Sequence, residues 1–174
     1  MKGICKAIAA LTLVFGVSAV FGQIPAYAPV KNRIVATDKD TGKTLWSSRK
    51  LDGDVVETLV VRDMVVVRTK KRVLYALESG GGLVLWTWRG AKGSLTNMLL
   101  SLDQKLLIVA DKSNLIGLDL DGEGVPAEVL KAPVLFPIRN EVPVMLSLNS
   151  SGVIVIQGKT RAVTVDPQTF RVLP

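Results

Sequence analysis

The sequence predicts an all-β chain of antiparallel, four-stranded units, and three observations predict it. After residue 30, short apolar runs rich in Val, Leu and Ile alternate with turn residues. No long stretch there carries the 3.6-residue periodicity of a helix. One hairpin pattern returns about every forty residues.

The 174 residues are 48% hydrophobic and 21% charged, which suits a packed domain rather than a disordered chain. The opening segment stands apart. Lys2 and Lys6 precede an uncharged apolar run from Ala7 to Val20, and small residues follow at Ser18, Ala19 and Gly22. That order, basic then apolar then small, is the order of a secretory signal. The run is shorter than the ~20 residues that span a bilayer. The expected organisation is a signal over 1–22 cut after Ala19 or Gly22, a linker over 23–32, and a repeat domain over 33–174. Export to the periplasm or the cell exterior follows, or to the ER lumen in a eukaryote. Cys5 falls inside the signal, so the processed chain has no thiol and no disulfide.

Four segments then align. Ile34–Asp38 leads to Thr41-Gly42-Lys43-Thr44-Leu45-Trp46, and Leu74–Glu78 leads to Gly81-Gly82-Leu83-Val84-Leu85-Trp86. Leu115–Asp119 leads to a looser turn over 120–124, and Ala162–Asp166 leads to Thr169-Phe170-Arg171-Val172. The acids Asp38, Glu78, Asp119 and Asp166 are spaced by 40, 41 and 47 residues, and Trp46 and Trp86 by 40. Each segment reads as strand, acidic turn, strand, because Asp, Gly, Ser and Thr supply hairpin-turn chemistry. Further hairpins fall between them, turning at Arg62-Asp63, at Asp103-Gln104 and at Asn149 to Gly152. Four strands per ~40 residues describe the blade of a β-propeller.

Ala36, Asp38, Thr41, Gly42 and Trp46 together resemble the repeat of PQQ-like, or quinoprotein-type, propellers, and Ala76, Gly82 and Trp86 repeat part of it. The last two units keep the acid and lose the Trp. The resemblance spans residues 31–174 and implies that the Trp packs between blades and the Gly serves the turn. In its repeat alone the chain is also similar to the propeller component of the bacterial outer-membrane protein assembly machinery, and to lumenal propellers of eukaryotic membrane complexes. The chain supplies four outer hairpins but three complete inner ones. It is expected to form a partial or small ring: closed, left as an open arc, or completed by another copy, which makes a homo-oligomer one outcome.

The chain has no histidine, which removes the usual acid–base group and the commonest metal ligand. Gly80-Gly81-Gly82 sits in a hairpin rather than before a helix, so it is not a phosphate loop. The four repeat acids are expected one per blade and far apart. The expectation is therefore a binding or scaffold protein with no catalysis, no cofactor and no metal. The alternatives are a remnant or subunit of a quinone-dependent oxidoreductase, and a structural module that completes a propeller by association.

In a meander, alternate turns lie at opposite ends of the strands. One end collects fourteen basic residues and three acids, the other five basic residues and nine acids. The basic end is expected to dock an acidic or membrane-associated partner, centred on Arg68, Lys70, Lys71 and Arg72 and extended by Lys112, Lys159 and Arg161. Solvated charges that keep strand edges from aggregating are the plainer explanation. Nucleic acid is disfavoured because no aromatic stacking platform accompanies the basic run.

Overall fold

A turn of two residues is enough to reverse a strand when the first adopts a positive φ, and Arg62-Asp63 does so with Arg62 at φ 52. Lys31-Asn32 reverses the chain in the same way, with Lys31 at φ 53. The valine-rich runs that flank such turns become strands, since a branched Cβ fits a pleated surface. The computed structural model describes residues 25–122, 124–134, 136 and 141–173.

Among the described residues fourteen strands form four antiparallel sheets, each a simple meander. The first holds β1 (Ala26–Val30), β2 (Arg33–Thr37) and β3 (Thr44–Ser47). The second holds β4 (Val55–Val61), β5 (Met64–Thr69), β6 (Leu74–Glu78) and β7 (Val84–Trp88). The third holds β8 (Leu99–Leu100), β9 (Leu106–Ala110), β10 (Asn114–Asp119) and β11 (Glu128–Pro133). The fourth holds β12 (Met145–Leu148), β13 (Ile154–Gln157) and β14 (Ala162–Val165), with a one-residue outer strand where Val172 pairs with Val165. The chain is an all-β propeller-like array, as its repeats predict.

Two details show that one hairpin recurs. A bulge interrupts the register between Ala36 and Thr37, between Ala76 and Leu77, and between Gly117 and Leu118, the same repeat position each time. The acid's amide then bonds across the turn: Asp38 to the Lys43 carbonyl, Glu78 to Leu83 and Asp166 to Arg171. In the third unit the longer loop moves that acceptor to Ala127.

The linker expected over 23–32 is corrected in part, because β1 occupies 26–30 and pairs along its whole length with β2. Its short apolar run was masked at the sequence level by Pro29, which an edge strand tolerates. The signal expected over 1–22 lies outside the described residues.

Sheets stack face to face and bury three cores. Ile34, Val65, Val67, Tyr75 and Leu77 lie between the first and second sheets. Val66, Trp86, Trp88, Leu107 and Ile116 lie between the second and third. Ile108, Leu115, Ile154, Ile156 and Phe170 lie between the third and fourth. Among the described residues no core joins the first sheet to the fourth. The two end faces leave apolar side chains in solvent, with Val30 and Met145 each about half exposed.

Candidate partner-docking surface

Turns of alternate parity do gather at opposite ends, and contacts within and between blades show it. At one end Ser79 donates to Asp63, Leu120 to Lys105, and Arg62 pairs with Asp121 at 2.7 Å. At the other end Lys70 donates its backbone N–H to Asp54, and the Lys92 amide donates to the Asp111 carboxylate at 3.1 Å. Gly53 and Gly93, both at positive φ, let Lys71 and Lys112 lie against the backbone of the links between blades. This second end carries the basic residues that the sequence singles out.

The expected centre of that end is not a cluster of free cations. Arg68 is withdrawn from it: its side chain is 20% exposed, and its Nε donates to Glu57 at 2.7 Å. Lys71 and Arg89 both reach Asp52, at 2.7 and 3.0 Å, and Lys70 reaches Asp54 at 3.3 Å. The two cations hold the Asp52 carboxyl below its usual range. Arg72 remains exposed and donates to the Gly93 carbonyl at 2.7 Å. Lys112, Lys159 and Arg161 are exposed on the next two blades, and no carboxylate among the described residues lies within 4.0 Å of them or of Arg72. Glu141 tempers the fourth blade: its Oε1 accepts the amides of Thr160 and Arg161 at 2.7 and 3.1 Å. Those bonds, first that from Thr160, lower its pKa. The positive surface is therefore a band across blades two to four rather than a spot on one turn.

The repeat residues do structural work one blade at a time. The Asp38 carboxylate accepts the amides of Asp40 and Thr41, and Asp166 accepts those of Gln168 and Thr169, which lowers both pKa values. Asp119 accepts the Asp121 amide, while Glu78 is exposed. Gly42 and Gly82 follow these acids at φ 68 and 71, and Phe170 takes the same left-handed place in the fourth repeat at φ 53. Trp46 lies against Gly82 of the next blade and donates its indole N–H to the Ser79 carbonyl at 2.9 Å. Trp86 is buried between the second and third sheets. No three of His, Cys, Asp or Glu converge on a possible metal position among the described residues.

Sequence reasoning missed the polar stitches between inner strands. Glu57 accepts the Met98 amide at 3.0 Å, and the Asn97 amide group bonds both the N–H and the C=O of Leu146. Neither residue belongs to a motif, and the sequence carries no signal for pairings 41 and 49 positions apart. At the acidic end, Leu102, Leu106, Leu148, Gly152 and Pro167 line a shallow pocket of about 270 Å³.

Comparison with known proteins places this arrangement. The family model described as outer membrane protein assembly factor BamB matches residues 12–166. The crystal structure of BamB from Moraxella catarrhalis superposes with a TM-score of 0.67 at 16% identity, over 87% of this chain and 49% of that one. The chain thus spans about half the length of that solved relative. No curated protein matches.

Proposed function

The chain belongs to the family of outer membrane protein assembly factor BamB, and from that membership we propose that it is a protein-binding propeller module that works outside the cytoplasm and performs no chemistry of its own. Its partner is a protein with an acidic face, which docks on the band formed by Arg72, Lys112, Lys159 and Arg161. The observation that carries this is the separation of turns by charge: exposed cations without carboxylate partners within 4.0 Å gather at one end of three successive blades. Such an end steers an anionic partner toward itself and sets its orientation. A periplasmic place accords with the family. The basic-then-apolar order of residues 1–22 offers one route there.

The test uses the chain as bait against an extract of the exported compartment. The captured protein is identified by mass, then titrated against the wild-type chain and against a variant with Lys112→Glu, Lys159→Glu and Arg161→Glu. Affinity is expected to fall steeply with added salt and to collapse in the variant. Binding that ignores both salt and charge reversal excludes this surface.

A further inference from the structure

Two turns of one kind close neighbouring blades at the acidic end, and they differ in what they display. Ser101 to Gln104 joins β8 to β9, and Asn149 to Gly152 joins β12 to β13. In each, the fourth residue donates its amide to the carbonyl of the first, at 2.9 and 3.0 Å, and takes a positive φ. The central pair is Ser150-Ser151 in the fourth blade and Leu102-Asp103 in the third. Turn chemistry favours polar residues there, so nothing local calls for a leucine. Leu102 is nonetheless 78% exposed at the tip of its turn.

Both residues of that pair line the shallow pocket between the third and fourth blades. Half-buried Leu106 and Leu148, which pack against the core between those sheets, give the pocket an apolar base. The Leu102 side chain reaches across to the fourth blade, where a Cβ placed on Gly152 would stand 2.8 Å from its Cδ1. Asp103 supplies a charge at the rim. Its Oδ1 accepts the Ser101 hydroxyl and the Lys105 amide, and these bonds, the hydroxyl's first, hold its carboxyl below the usual range. No cation among the described residues lies within 4.0 Å of it. Arg62 and Lys105 reach Asp121 instead, at 2.7 and 3.4 Å.

We propose that this pocket is a second docking site, and that it takes a basic side chain beside an apolar one from an extended segment of a partner protein. At about 270 Å³ the pocket falls below the ~300–1,000 Å³ of small-molecule sites, and its size suits one or two side chains. The apolar base covers the apolar side chain and the aliphatic stem of the basic one, while the Asp103 carboxylate meets the charged head at the rim. An anionic occupant is disfavoured, because the turns of this end carry nine acids against five basic residues. The inference does not rest on the basic band, which lies at the other end of the strands.

The experiment titrates the isotope-labelled full chain with the end-blocked peptide Gly-Arg-Leu-Gly and follows its amide NMR signals. Saturable shifts are expected at residues 101–106, 152 and 168. Leu102→Ser gives the turn the residue of its fourth-blade counterpart and is expected to weaken binding roughly tenfold, the scale of a lost apolar side-chain contact. Asp103→Asn is expected to weaken it roughly threefold, the scale of an exposed ion pair. Both changes fall on exposed turn positions, and unmoved signals elsewhere show that each variant is folded. The variant with Lys112→Glu, Lys159→Glu and Arg161→Glu should bind this peptide as the wild type does, which separates failure of the basic band from failure of the pocket. Absence of saturable shifts, equal binding of Gly-Glu-Leu-Gly, or an affinity untouched by both turn substitutions overturns the proposal.

Discussion

Trp46 and Gly82 are packed so closely that a Cβ placed on Gly82 would collide with the Trp46 ring. The contact joins the outer strand of the first blade to the acidic turn of the second, and the indole N–H bond to Ser79 fixes its direction. Tyr27 packs on the same indole at 5.7 Å between ring centres and donates its hydroxyl to the Ser79 carbonyl at 3.1 Å.

Gly82→Ala is expected to destabilise far more than Gly42→Ala. Both glycines have positive φ, so each substitution meets left-handed strain of roughly 1–2 kcal/mol. Only at position 82 does a methyl also collide with a ring, adding about 1–3 kcal/mol, because Gly42 has no atom within 4 Å of its virtual Cβ. Urea denaturation of the two variants checks this, and equal losses would disprove the packing role.

Asn97→Ala is expected to cost about 1–3 kcal/mol. It strips both the donor and the acceptor that Asn97 offers to the backbone of Leu146, a residue that is 2% exposed. Asn97→Asp keeps the acceptor for the Leu146 amide but sets a carboxylate oxygen against the Leu146 carbonyl, and should not recover the loss. Thermal melts of both variants check this, and loosening should show first as faster amide exchange in β12.

Asp52→Asn is expected to strengthen the positive end. It releases Lys71 and Arg89 from their shared carboxylate, and the exposed pairs contribute little to stability. Elution from an anionic resin should move to higher salt while the melting temperature barely changes. Unaltered elution would mean that these cations do not face solvent in a usable way.

Acid is expected to unfold the chain through its turns. Asp38, Asp166, Asp52, Asp121 and Glu141 all have folded pKa values below their ordinary ones, the first two chiefly through bonds from turn amides. A depressed carboxylate stabilises the fold above its unfolded pKa, 3.8 for Asp, and that contribution fades as pH falls through the folded value. Melting temperature should therefore hold steady down to about pH 4 and drop below it. Asp38→Asn keeps an acceptor for the Asp40 and Thr41 amides without titrating, and should flatten part of the drop.

The strands and their turns were legible because their causes are local. Asp38 bonds amides two and three residues ahead, and Gly42 supplies a φ that its own missing side chain permits. The fourth repeat was readable for the same reason even with Phe170 in the glycine place, since Asp166 repeats those bonds. β1 was not legible, because five residues with a proline give no pattern until β2 pairs with them. Nor was the fate of Arg68, whose partner Glu57 lies eleven positions away on an adjacent strand.

The sequence by itself determined an all-β repeat, its hairpins and the sorting of charge between two sets of turns, since each depends on neighbours within a few residues. Only the tertiary structure decided which cations stay in solvent and how inner strands are stitched. Those outcomes depend on how one blade lies on the next. Such contacts are made between side chains distant along the chain, and no local periodicity records them.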